Sequence, residues 1–148
     1  MKKSLRSVTL SRIITIILLT IVILCFLLLP IIMKAYFHYR QMPSDLFTPL
    51  LILCYGCALS AIGALTWLWR LLTRIANGNL FDKKNSALLA GLSAYCLIIA
   101  LLTAIGTAWY FPCIIIAVAA IFLFLIFRVL QSVFIAAADI KDENDMTI

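Results

Sequence analysis

The fold is decided by residues 13–33, which read IITIILLTIVILCFLLLPIIM. This stretch carries no charge and contains eight Ile and six Leu. Since an α-helix rises about 1.5 Å per residue, a helix of this length crosses a hydrocarbon core of about 30 Å. The apolar run of a cleavable signal peptide is shorter, at about 7–15 residues. The stretch therefore predicts a retained membrane-spanning helix.

Three further apolar runs reach the same length, at residues 49–69, 87–108 and 112–133. The whole chain is 66% hydrophobic and 12% charged, which excludes an ordinary soluble domain and a disordered chain. A membrane β-barrel is disfavoured because its strands are about 10 residues long and alternate in polarity. We predict an all-α integral membrane protein, a single membrane domain over residues 1–148 that folds as an up-down-up-down four-helix bundle.

Small residues recur at helical spacing within these runs. Gly56, Ser60 and Ala64 follow one another at every fourth position of the second run, and Ala87 and Gly91 open the third. Such faces let membrane helices approach closely. The same faces could instead join two copies of the chain, so a homo-oligomer is a second interpretation.

The basic residues are distributed unevenly between the two sides of the predicted spans. Ten of the twelve Lys and Arg precede the first span, lie in the loop 70–86, or follow the core of the fourth span, whereas Lys34 and Arg40 alone lie on the other side. By the positive-inside rule, we expect both termini and the loop 70–86 to be cytoplasmic. The expected location is the cell membrane. Anionic lipid explains the net charge of +6, so we predict no direct nucleic-acid binding.

The loop 70–86 and the tail 139–148 hold the candidate partner-binding residues. In the loop, Asn77-Gly78-Asn79 predicts a helix stop, and Asp82 is a candidate N-cap for the next helix. The tail is acidic but ends on apolar residues, so it either folds back onto the basic loop or is offered to a partner. The candidates are Arg70, Arg74, Phe81, Lys83, Lys84, Asp142, Glu143, Asp145, Met146 and Ile148.

The closing residues resemble a known signature. Leu130-Gln131, Ala137, Asp139-Ile140-Lys141 and the segment 143–148 (ENDMTI) are similar to the end of small four-span bacterial membrane proteins of the domain-of-unknown-function 2975 type. Members of that family commonly have Leu where Met146 stands, and a Phe before a polar helix start, matched here by Phe81 through Ser86. The resemblance implies no established activity. It implies a link to transcription control, because the genes often neighbour a small helix-turn-helix regulator of the Cro/CI type.

Few residues in the chain are of the types that act in catalysis or bind a cofactor or a metal. Cys54-Tyr55-Gly56-Cys57 is a C-x-x-C near the start of the second span, similar in outline to quinone-linked membrane thiol oxidases, but the second cysteine pair that their exchange chemistry needs is missing. Buried packing explains the pair as well. No catalytic, cofactor-binding or metal-ligating residue is predicted. The leading hypothesis is a non-enzymatic regulatory protein; the alternatives are a thiol oxidoreductase using Cys54 and Cys57, or self-protection against membrane-active peptides.

Overall fold

The computed structural model describes residues 2–78 and 83–147, with side chains from Val8 onward. Within these residues the chain forms four long α-helices, with a short 3-10 turn at Ser44–Leu46 before the second. Each of the four is long and apolar enough to cross a membrane. The predicted all-α class and the four membrane-length helices are thereby confirmed. The helices are α1 (Lys2–Arg40), α2 (Phe47–Ala76), α3 (Lys83–Gly106) and α4 (Cys113–Met146).

The outer surface of the helices is strongly apolar. Leu27 and Ile31 on α1 are 66% and 65% exposed, and Ile115 on α4 is 71% exposed. In water, contiguous apolar patches of this kind would drive association, whereas in a bilayer they contact lipid at no cost. The chain is therefore a multi-pass membrane protein, and its exposed side chains are those expected of lipid-facing positions.

The segment between α2 and α3 begins with a clear helix stop. Helix α2 continues past Trp69 and ends at Ala76, with Asn77 as its C-cap and Gly78 at φ 84°. Glycine adopts this left-handed conformation without steric penalty, so the predicted stop at Asn77-Gly78 is confirmed. Phe81 and Asp82, predicted to anchor and cap the next helix, lie outside the described residues.

Helix α4 extends about three turns beyond the predicted span end at Val133. No Gly or Pro interrupts residues 113–146, and three consecutive Ala at 136–138 favour the helix. The predicted acidic tail is therefore helical as far as Met146 and lies on α4, instead of following α4 as a separate segment.

The helices pack in chain order, α1 on α2, α2 on α3 and α3 on α4. Neighbours run in opposite directions, since Arg12 near the start of α1 lies over Trp69 of α2, while Phe37 near the end of α1 meets Phe47 at the start of α2. Among the described residues, α1 and α4 share no extended backbone contact. One side of the assembly is consequently open between these two helices.

Two glycines accept aromatic rings at the interface of α2 and α3. A Cβ at Gly63 would lie 2.6 Å from Cε1 of Tyr95, and a Cβ at Gly91 would lie 2.5 Å from Cε3 of Trp67. These rings occupy the space of the missing side chains, so the small residues act here as notches for large neighbours. At the interface of α3 and α4 the small residues Ala100, Ala117 and Ala120 are buried, which permits the close approach that membrane helices use.

The two ends of the assembly differ in chemistry. We call the end that holds Arg12, Trp69, Lys83 and Asp142 the basic end, and the end that holds Tyr36 and Tyr110 the tyrosine end. Near the basic end, Leu71, Leu89 and Leu92 form a buried apolar cluster. The side of the membrane on which each end lies stays a prediction.

Candidate functional site

At the basic end, the candidate loop and tail residues meet through one ion pair. Lys83 Nζ lies 3.3 Å from Asp142 Oδ2, joining the first residue of α3 to the last turns of α4. The two side chains are 70% and 61% exposed, and exposed pairs of this kind contribute about 0.2–1 kcal/mol. The pair therefore contributes little to the stability of the contact between α3 and the end of α4.

The remaining candidates at the basic end line its surface. Arg70 is exposed on α2, and Arg74, one turn later on the same helix, is half-buried. Lys84, Glu143 and Asp145 are exposed. Phe81 and Ile148 lie outside the described residues.

Met146 continues the face of α4 that points toward α3. Phe134 packs against the buried leucine cluster, Ala138 is 3% exposed, and Asp142 pairs with Lys83. These positions recur every four residues, so each lies close to the preceding one on the helix surface, and Met146 is the next in the series. Its side chain is 89% exposed. The fold-back interpretation stays a prediction, because residues 79–82 of the loop lie outside the described residues.

Asn85 is a polar residue at the basic end that the sequence analysis did not single out. Its side chain is 0% exposed, half a turn inside the Lys83–Asp142 pair along α3. The only available signal was a polar residue in the first turn of a helix, which is common at exposed helix starts.

A cavity of about 230 Å³ lies at the tyrosine end. From α2 it is lined by one helix face with the spacing i, i+3, i+4, i+7, and residues of the other three helices complete the lining. The lining residues are Met33, Tyr36 and Phe37 of α1, Met42, then Leu50, Leu53, Cys54 and Cys57 of α2, Thr103 of α3, Tyr110, and Cys113 and Ile116 of α4.

The rim of this cavity is a tyrosine pair. The Tyr36 and Tyr110 hydroxyls hydrogen-bond to each other, and their rings meet edge to face with centroids 6.4 Å apart. Arg40 follows Tyr36 by one turn on the same side of α1 and is exposed. The pair connects α1 to the turn between α3 and α4 across the open side of the assembly. Tyrosines near the ends of membrane helices are ordinarily explained as part of an interfacial aromatic belt, and the sequence does not indicate that these two pair.

The cysteine chemistry of the cavity is restricted by its surroundings. Cys54 and Cys57 share the cavity with Cys113, a grouping that the sequence analysis did not foresee. No ionisable residue other than Cys and Tyr is present in the lining, so no base stands beside the thiols to form the reactive thiolate. In the part of the chain that the structure describes, no group of three or more His, Cys, Asp or Glu could hold a metal ion.

Comparison with known proteins agrees with the resemblance of the closing segment. The profile of the family described as "Protein of unknown function (DUF2975)" matches residues 38–148, about three quarters of the chain. The match runs from the last residues of α1 through α2, α3 and α4. No curated protein and no solved structure gives a match. With four membrane-length helices and a match over most of its length, the chain belongs to the DUF2975 family.

Proposed function

We propose that this chain is a non-enzymatic, regulatory protein of the bacterial cell membrane that binds a cytoplasmic partner at its basic end. The observation that carries the proposal is the end of α4. This helix continues past the membrane-length apolar run as far as Met146, an apolar side chain that is 89% exposed. An interface that covered it would recover about 1.5–3 kcal/mol.

The charge around Met146 supports a partner with a basic surface. Asp142, Glu143 and Asp145 surround it on the last turns of α4, and complementary charge speeds association and selects partners. DNA-binding proteins carry basic surfaces. The family resemblance implies a small helix-turn-helix regulator, and an acidic helix end with an apolar tip is chemically suited to such a protein.

The orientation that this function requires is supported by charge. Ten of the twelve Lys and Arg lie at the basic end or in the segments that lead to it. Arg12 lies 4.7 Å from the ring centroid of Trp69, so the start of α1 and the end of α2 share that end with the Lys83–Asp142 pair. With the basic end in the cytoplasm, both termini and the loop 70–86 face the same compartment as a DNA-binding regulator.

The test is co-expression of the full chain with a small helix-turn-helix regulator of the Cro/CI type, followed by recovery of that regulator from purified membranes. Wild type should retain the regulator. Removal of residues 142–148, and separately Met146→Ser combined with Ile148→Ser, should reduce its recovery to a similar extent. Ile140→Ser is the matched control, since Ile140 is 60% exposed on a different face of the same turns.

The control variant should behave as wild type. If the truncated and double-Ser proteins also retain the regulator at the wild-type level while inserting normally, the end of α4 does not bind it and the proposal is refuted.

A further inference from the structure

We propose that the cavity at the tyrosine end binds a phospholipid, with one acyl chain inside the cavity and the phosphate at Arg40. The site is independent of the partner surface at the basic end. The cavity lies where four helix ends converge. At that depth a bilayer changes from headgroup to hydrocarbon.

The interior of the cavity fits a hydrocarbon chain. Leu50, Leu53, Cys54 and Cys57 line it over seven residues of α2, which corresponds to about 10 Å of depth. The remaining walls are also mainly apolar, and the Thr103 hydroxyl donates to the Ile99 carbonyl of its own helix at 2.7 Å. A ligand with a polar group would therefore find no free charge inside, whereas an acyl chain needs none.

The cavity is reached from lipid on the open side between α1 and α4. Ile116 both lines the cavity and is 53% exposed on the outer surface. Since α1 and α4 share no extended backbone contact among the described residues, no helix closes this side. A gap of this kind at membrane depth is filled by hydrocarbon, because the surrounding solvent is lipid and the lining offers no hydrogen bonds to water.

The rim supplies the phosphate contact. Arg40 is exposed one turn after Tyr36 on the same side of α1, next to the Tyr36–Tyr110 pair at the rim, and its guanidinium presents five donors in a planar fork that matches phosphate. Lys34 adds a second positive charge on α1, whereas Asp45 is the single acidic residue of the segment between α1 and α2. Tyrosine hydroxyls and Arg at headgroup depth complement a phosphate whose chain descends into an apolar site.

The experiment uses the full chain reconstituted in phosphatidylethanolamine vesicles that contain a small fraction of phosphatidylglycerol with a photoreactive diazirine on one acyl chain. Irradiation and peptide mapping should place the adducts on the segments that carry Cys54, Cys57 and Cys113. A photoreactive fatty alcohol, which lacks the phosphate, is the second probe. Excess inorganic phosphate is the third arm, and it should leave the adducts in place.

Two variant pairs separate the two halves of the site. Cys57→Phe fills the cavity and should lower cavity adducts at least about fivefold, whereas the same change at Cys25, which is exposed on α1, should leave them unchanged. Arg40→Gln should lower phospholipid adducts without changing those of the fatty alcohol. Lys34→Gln removes an equal charge nearly two turns earlier on α1 and should lower phospholipid adducts less than Arg40→Gln does.

Three results would overturn the proposal. One is a uniform spread of adducts over lipid-facing positions that Cys57→Phe does not alter. Another is equal labelling by the phospholipid and by the fatty alcohol, with Arg40→Gln behaving as wild type. The third is loss of the adducts in excess inorganic phosphate, which would assign the rim to a free anion. Because Arg40→Gln changes only an exposed side chain, it tests the site even if Cys57→Phe fails to fold.

Discussion

The contact between Gly91 and Trp67 predicts that a single methyl group destabilises the membrane fold. In Gly91→Ala the new Cβ would lie 2.5 Å from Cε3 and 2.6 Å from Cζ3 of the indole. Trp67 packs against the buried cluster of Leu71, Leu89 and Leu92, so the rigid ring has little room to move. Overpacking of this kind costs about 1–3 kcal/mol, and the better helix propensity of Ala returns about 1 kcal/mol. We expect a net loss of about 1 kcal/mol.

Gly56→Ala is the matched control. There the Cβ would lie 3.1 Å from Cδ1 and 3.9 Å from Cδ2 of Leu102, which are the ends of a flexible side chain that can rotate away. The propensity gain should then offset the contact, leaving the control neutral or slightly more stable than wild type.

The assay is equilibrium unfolding of the purified protein in mixed micelles, with rising sodium dodecyl sulfate and helicity followed by circular dichroism. The Gly91→Ala protein should be less stable than the Gly56→Ala protein by about 1–2 kcal/mol, a factor of roughly 5–30 in the unfolding equilibrium. Two results would contradict this reasoning: unfolding of both variants at the same detergent fraction, or a Gly91→Ala protein that is the more stable of the two. Either would mean that the contact between Gly91 and Trp67 does not limit the packing of α2 on α3.

Further predictions concern the orientation, the ion pair and the cysteines. Reporter fusions at Pro43 and at the C-terminus should show opposite sidedness, and equal labelling of both sites from outside would contradict the charge argument. Lys83→Glu should lower the free energy of unfolding by at most about 1 kcal/mol at low salt, and the double variant with Asp142→Lys should regain that stability. A loss of stability that persists at high salt would contradict a surface ion pair screened by salt. Cys54→Ala combined with Cys57→Ala should leave membrane expression and regulator recovery unchanged; loss of physiological function with normal expression would favour the thiol oxidoreductase.

The parts of the fold that the sequence predicted are those that depend on local composition. The run at 13–33 specifies a spanning helix because insertion energy adds residue by residue. The stop at Asn77-Gly78 could be read for a similar reason, since glycine tolerates the backbone angle found there. The helical continuation of α4 to Met146 was less visible, because charged residues mark the end of a membrane span but do not end a helix.

The cavity could not be read from the chain for a different reason. The spacing of Leu50, Leu53, Cys54 and Cys57 is visible in the sequence and indicates one helix face, but that face is equally compatible with contact to a helix or to lipid. Cys113 joins the same cavity only because α4 packs on α3 and leaves α1 apart. Hydropathy does not encode this separation, since the interior and the lipid are both apolar in a membrane. The Tyr36–Tyr110 hydrogen bond joins residues 74 positions apart, and such a pairing depends on how the helices pack, which the order of apolar residues along the chain does not specify.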